Sequence, residues 1–128
     1  MSRRQFRVII AGSRSASGHY IYSLLERKLD SILKDKAVTH DIVIVSGTAK
    51  GADLMGEQYA RSRSFRIDRY PADWNRFGRR AGYIRNVEMA SNADALVALW
   101  DGSSRGTKHM VDIAGQHGLP TRIVSFNQ

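Results

Sequence analysis

The 128-residue chain contains no cysteine and only two prolines. Without thiols there are neither disulfides nor thiolate metal sites, and a reducing cytoplasm is the expected location. Its four histidines, His19, His40, His109 and His117, are scattered without metal-ligand spacing, so neither a metal nor another cofactor is expected. Long apolar runs are missing too: nothing approaches the ~18 consecutive residues of a membrane-spanning helix. The basic start Met1–Arg4 leads almost directly into a short core-like apolar run, a layout unlike a secretory leader. Acidic residues are scarce, 12 against 20 Lys and Arg. The formal charge of +8 and the pI near 10.3 lie close to the range of nucleic-acid binders. They suit a polyanionic partner, although net charge carries no information about fold.

What is present reads as one globular domain spanning residues 1–128. Hydrophobic residues make up 42% and charged residues 25%, an ordinary balance for a chain long enough to bury a core. Five short apolar runs mark strands: Phe6–Ala11, Ile42–Val45, Phe65–Tyr70, Ala95–Trp100 and Arg122–Phe126. Between them, residues 21–33 carry apolar side chains at helical spacing (Ile21, Leu24, Leu25, Leu29, Ile32, Leu33). Ala52, Met55 and Tyr59 repeat that spacing, as do Ala81, Ile84 and Val87, then Met110, Val111 and Ala114. Gly118 and Pro120 form a helix stop. Strand–helix alternation with continuous apolar strands predicts a doubly wound α/β domain. It is expected to have a Rossmann-like parallel sheet of about five strands with helices on both faces. Ligands of such folds bind beyond the C-terminal strand ends, near the point where strand order reverses.

Three of the strand exits share one chemistry. The stretches Ala11–Gly18, Ser46–Asp53 and Asp101–Lys108 each supply glycines, hydroxyls and a cation, and each enters a helix. Helix-initial amides have no intrahelical partner and sit at the positive end of the dipole, an arrangement suited to a phosphate. The same residue types also build ordinary turns and N-caps, and neither GxGxxG nor GxxxxGK[ST] is present. Taken together on one sheet edge, the three exits predict a shared anion or nucleotide site. The exit of the third strand differs. Tyr70–Asn86 interleaves Trp74, Phe77 and Tyr83 with Arg76, Arg79, Arg80 and Arg85, a mixture suited to stacking on a base while holding its phosphates. Packing onto the domain is the alternative for Trp74 and the preferred reading for Phe77. Asp73 is placed to cap a short helical piece, and Arg85 and Asn86 to face the same mouth. A second arginine cluster, Arg61, Arg63, Arg66 and Arg69, reads as a solvated face.

These residues carry a family likeness. "IIAGSRSAS" with "IVSGTAKGAD" resembles the paired GSR and SGxA[RK]GxD motifs of the SMF/DprA proteins. "GADLMGEQYA" and "GSSRGT" are similar to segments of the lonely guy phosphoribohydrolases. "YPADW…GRRAGYIRN" with "ALWDGSSRGT" resembles most closely the small YspA-like branch of the same Rossmann-like SLOG superfamily. The resemblance implies a nucleotide pocket at Gly12, Ser13, Arg14, Ser46, Gly47, Lys50, Gly51, Asp53, Arg85, Asn86, Gly102, Ser103, Gly106 and Thr107, to which the aromatic reading adds Trp74. It also implies a homodimer, since lonely guy enzymes pair through helices beside the active site.

Whether a reaction follows is left open. N-ribosyl hydrolysis requires a carboxylate near the anomeric carbon and a cation on the phosphate. The lonely guy pattern places its acid three residues after the Gly-Thr pair, where this chain has Met110. Asp73 and Arg85 are the remaining candidates for catalytic roles. Asp53, Glu88 and Asp101 are the other carboxylates considered, with Asp53 read as capping its helix and Asp101 as fixing its loop. The primary expectation is a protein that binds a nucleotide or nucleotide-derived phosphate ligand, as a sensor or sequestering protein. The alternatives are single-stranded DNA or RNA binding in the manner of DprA, and a nucleoside-monophosphate N-ribohydrolase.

Overall fold

The computed structural model describes residues 3–126. The elements run β1 (Arg4–Gly12), α1 (His19–Leu33), α2 (Lys36–Thr39), β2 (His40–Ser46), α3 (Ala52–Arg63), β3 (Arg66–Arg69), α4 (Trp74–Phe77), a 3-10 turn (Gly78–Arg80), α5 (Ala81–Ser91), β4 (Ala95–Trp100), α6 (Arg105–Gln116) and β5 (Thr121–Ser125). The described strands form one all-parallel five-stranded sheet in the order β3-β2-β1-β4-β5. This is the Rossmann-like architecture expected from the strand–helix alternation. The order reverses between β1 and β4, whose connections leave in opposite directions and open a crevice at their C-terminal ends.

Strand periodicity sorts the core into two layers. Val8 and Ile10 of β1, Ile42 and Ile44 of β2, and Val97 and Leu99 of β4 face α1 and α3, where Leu25, Leu29, Met55 and Tyr59 meet them. Ile9 and Ala11, Val45, and Leu96 and Ala98 face the other way, onto Met89 and Ala90 of α5 and Met110 and Ala114 of α6. Both faces of the central strands are covered, which explains why their sequences are continuously apolar. Burying each of the Val, Leu, Ile and Met side chains among these stabilises by about 1.5–3 kcal/mol before the entropy of ordering is counted.

One expectation is corrected here and another refined. The apolar stripe Ala81–Ile84–Val87 is not the buried face of α5: Ile84 and Val87 are exposed, and the inward residues are Ala81, Asn86, Met89 and Ala90. The inner face of α5 must serve both the sheet and the crevice, so it carries an amide and a methionine in place of the branched residues. The cluster at Arg61–Arg69 is also not simply solvated. Arg63 bonds Asp30 and Glu26 of α1, Arg66 bonds Asp68, and Arg69 bonds Glu57. Tyr59 completes the α1–α3 clamp by donating its hydroxyl to Asp30 at 2.7 Å. Much of this positive charge is thus matched locally, although Arg61, Arg66 and Arg69 stay exposed to solvent, as a solvated face requires.

Candidate functional site

Ser13 ties the strand exits together. Its amide donates to the carbonyl of Leu99 in β4 at 2.9 Å, and its hydroxyl accepts the Asp101 amide at 3.0 Å. Its carbonyl accepts the Ala52 amide, the first of α3, at 3.2 Å. That last contact requires the backbones to touch. Gly51 has φ +86, and a Cβ there would lie 2.4 Å from the Ser13 oxygen, so only glycine fits. The exits of β1, β2 and β4 therefore converge on one rim, and Ser13 is an internal brace at 1% exposure.

Two adjoining cavities open along that rim. The larger, about 440 Å³, lies over the β1–β4 crevice. Of the sequence-predicted residues it is lined by Gly12, Arg14, Asp53, Trp74, Arg85, Asn86, Gly106 and Thr107. The smaller, about 350 Å³, lies between the β2 exit and Pro71–Ala72, and is lined by Arg14, Gly47, Lys50, Trp74 and Arg85 together with Thr48 and Ala49. Arg14, Ala49, Trp74 and Arg85 border both and form the wall between them. Ser13, Ser46, Gly51, Gly102 and Ser103 line neither cavity. Ser46 is fully buried: its hydroxyl donates to Glu57 at 2.7 Å and accepts the Thr48 amide at 3.0 Å.

Part of the expected cradle of unpaired amides is filled from within the protein. In the β2 exit the Thr48 amide goes to Ser46 Oγ and the Ala49 amide to Asp53 Oδ2 at 3.2 Å. In the β4 exit the amides of Ser103 and Ser104 both donate to Asp101 Oδ1 at 2.9 Å. Oxygens of the protein thus accept from these four loop amides, and the side-chain cations Arg14, Lys50 and Arg85 line the cavities beside them.

Those cations are well placed. Arg85 is half-buried; it donates through Nη1 to the carbonyl of Gly47 and through Nε to Asn86 Oδ1. Burial pushes its pKa down from the ordinary value, opposed by the charge of Asp53, yet a guanidinium remains charged at neutral pH. Asn86, buried in α5, donates to the Gly106 carbonyl at 3.4 Å and reaches His109 Nδ1 at 3.1 Å. The Asn86 amide nitrogen makes His109 Nδ1 the acceptor, which places the imidazole proton on Nε2. Burial lowers the pKa of His109, and its ring lies 4.4 Å from that of Tyr83. This chain of contacts fixes α5 against α6 and aims Arg85 at the wall.

Two carboxylates border the larger cavity, with their pKa values displaced in opposite directions. Asp101 is held well below the usual range by the Ser103 and Ser104 amides. Asp53, 5% exposed, is pushed up to about 6 by burial, against the Ala49 amide and the charges of Arg85 and Arg14. Asp73 accepts the Arg76 amide at 3.1 Å, caps α4 and borders neither cavity. Met110 sits in the floor at 1% exposure, and Glu88 is exposed on α5. Trp74, 50% exposed, stands with its indole edge beside Gly82. Phe77 is half-buried, with the Arg76 guanidinium 4.9 Å above its ring. Among the described residues no group of three or more His, Asp or Glu is placed to hold a metal ion, and no helix is long and apolar enough to cross a membrane.

Residues 6–77 match the model of the YspA, cpYpsA-related SLOG family. The chain belongs to this family. The match takes in the β1 and β2 exits and Trp74, and thus most of the wall between the cavities. Arg85, Asn86 and the β4 exit lie beyond it. A curated relative, Gene 61 protein of Mycobacterium phage D29, is 36% identical over 93 residues, covering 68% of this chain and 73% of the relative. Among solved structures this SLOG chain is similar in fold to DNA processing protein A of Streptococcus pneumoniae, with TM-score 0.70 and 16% identity. That match covers 94% of this chain but spans only 50% of its neighbour. A second similar fold is TM1055, at TM-score 0.63 and 16% identity, with 92% of this chain and 72% of the other covered. A third is DNA processing protein A of Helicobacter pylori, described for its single-stranded DNA binding mode, at TM-score 0.62 and 18% identity. There the match covers 92% of this chain and 64% of the other.

Sequence reasoning missed Glu57. It is buried at 5% exposure, accepts from Ser46 and pairs with Arg69. Its spacing supplies a signal: Glu57 follows Asp53 by one helical turn on the inward face of α3.

Proposed function

We propose that this protein binds a nucleotide or nucleotide-derived phosphate ligand at the C-terminal edge of the sheet, as a sensor or sequestering protein. The phosphate is held in the smaller cavity and the base is received in the larger. One observation carries the reading: the smaller cavity is lined by Arg14, Lys50 and Arg85 and by no carboxylate. The larger cavity has both carboxylates, but also an apolar floor at Met89 and Met110 and the rings of Trp74 and Tyr83. An anion favours the first environment and a flat heterocycle the second. Family membership supports the same class of ligand.

Binding fits the site better than turnover. The position the lonely guy pattern gives to an acid is Met110, buried in the floor, and Asp73 is committed to its cap. Single-stranded nucleic acid is the second reading, favoured by the +8 charge and by the fold shared with DNA processing protein A.

Calorimetry with AMP, adenosine and an oligodeoxynucleotide tests the proposal. AMP is expected to bind at least about tenfold more tightly than adenosine, in line with a charge-assisted phosphate contact. Arg14→Ala and Lys50→Ala each remove that advantage while circular dichroism stays unchanged. Equal binding of AMP and adenosine refutes the phosphate chamber. A polymer binder instead shows affinity falling with salt at a log–log slope of about −0.7 per neutralised phosphate, far steeper than a mononucleotide gives.

A further inference from the structure

Asp53 raises a difficulty for a site that attracts anions. Its carboxylate lies in the first turn of α3 and lines the larger cavity at 5% exposure. Oδ2 accepts the Ala49 amide at 3.2 Å. Oδ1 receives no hydrogen bond among the described residues, yet no buried side-chain oxygen there lacks a partner, so Oδ1 is open to the cavity. The groups facing it are Arg85 from α5, Arg14 from the β1 exit and, with opposite effect, Glu57 from the next turn of α3. A nearly buried acceptor presented to a ligand site requires a donor on the ligand, since an unmatched one loses a full hydrogen bond on desolvation.

A nucleotide has few groups that meet this need. Its phosphate offers oxygens that an ionised carboxylate repels, which is a further reason for it to lie in the carboxylate-free chamber. Ala49, the partner of Oδ2, borders both cavities, so the Asp53 carboxylate stands at their junction. With phosphate on one side and base on the other, the part of the ligand at the junction is the sugar. Carboxylates read ribose hydroxyls in other dinucleotide-binding folds for the same chemical reason.

We infer that Asp53 accepts a hydrogen bond from one ribose hydroxyl of the ligand and makes the site selective for ribonucleotides over analogues lacking that hydroxyl. The inference rests on the nucleotide reading above, and the experiment separates the two. AMP, 2′-deoxy-AMP and 3′-deoxy-AMP are titrated at pH 8 into the full chain, the Asp53→Ala variant and the Asp53→Asn variant. In the unsubstituted protein at least one deoxy analogue is expected to bind about 10- to 100-fold more weakly than AMP. Asp53→Ala lowers AMP to the level of that analogue. In Asp53→Asn the amide oxygen is held by the Ala49 amide and the NH2 group turns to the cavity, where it can donate to the oxygen of the same hydroxyl, so the preference is expected to weaken there without vanishing. If all three nucleotides bind the unsubstituted protein equally, Asp53 does not read the sugar and the phosphate site stands. Discrimination retained in full in Asp53→Ala overturns the inference too, and if no nucleotide binds, both readings fall together.

Discussion

Asp53 and Arg85 close over the same face of Gly47. A Cβ built on that glycine would lie 2.8 Å from Asp53 Oδ2 and 2.6 Å from Arg85 Nη1. The two side chains come from α3 and α5, on opposite sides of the sheet, and Gly47 leaves the space in which they approach each other. Gly47→Ala is expected to displace the guanidinium, the more flexible of the two, from the wall between the cavities. We expect nucleotide affinity to fall about tenfold, the scale of one charge-assisted contact, with a stability loss of about 1 kcal/mol in urea unfolding. Unchanged affinity would show that Arg85 is not needed where it stands.

Phosphate placement separates two cations. Lys50 borders only the smaller cavity and Arg79 only the larger. If the phosphate sits between Arg14, Lys50 and Arg85, Lys50→Ala weakens AMP by about tenfold or more, while Arg79→Ala changes it by about threefold at most through long-range attraction alone. The reverse ranking in calorimetry would place the phosphate in the larger cavity, beside Arg79, instead.

The parts of this design legible in the sequence are those that one physical constraint dictates. Val8–Ala11, Ile42–Val45 and Ala95–Leu99 had to be continuous because both of their faces are covered, and Leu25, Leu29 and Leu33 had to recur at one helical turn. Arg14, Lys50, Trp74 and Arg85 could be picked out because they stand at strand exits of a doubly wound sheet. The hydroxyls could not be assigned in the same way. Ser13 and Ser46 sit beside glycines just as ligand-binding serines do, and only the destinations of their hydrogen bonds, Asp101 and Glu57, reveal them as braces. The amides of Ser103 and Ser104 are similarly ambiguous in the sequence, which does not show that both donate to Asp101. On α5, the exposure of Ile84 and Val87 is not legible in the sequence, because spacing gives a helix its period but not its orientation. Asn86 is turned inward by the Gly106 carbonyl and His109, a pairing 20 and 23 residues away in sequence.

Thr48 provides a test of strain at the site. It borders the smaller cavity with φ +67, a left-handed conformation that a β-branched residue adopts at a cost of about 1–2 kcal/mol. Thr48→Gly relieves that cost and adds about 0.5–1 kcal/mol of chain entropy to the unfolded state. Stability is therefore expected to rise by up to about 1 kcal/mol, read as a higher urea midpoint at constant slope. A loss of more than about 1 kcal/mol would show that the threonine side chain makes contacts stronger than the strain.

The raised pKa of Asp53 makes stability depend on pH with an unusual sign. Its carboxyl moves from 3.8 to about 6 on folding, chiefly through burial. Between those values the folded state binds more protons than the unfolded one, so this residue's contribution falls as pH rises. The cost of ionising it is absent below about pH 4 and complete above about pH 6. Asp30 and Asp68 act oppositely: their pKa values are lowered by hydrogen bonds from Arg63 and Arg66 respectively, and they lose stability as pH falls. Comparison with Asp53→Asn isolates the one residue from the others. At pH 4 the variant and the original chain are expected to unfold at the same urea concentration. At pH 7.5 the variant is expected to be more stable by about 1–3 kcal/mol, the free energy of a shift of this size after relaxation around the charge. A stability difference that stays constant across this range would mean that Asp53 ionises at the same pH folded as unfolded. Its carboxylate would then be held by Arg14 and Arg85 as a settled ion pair, with no acceptor left over for a ligand.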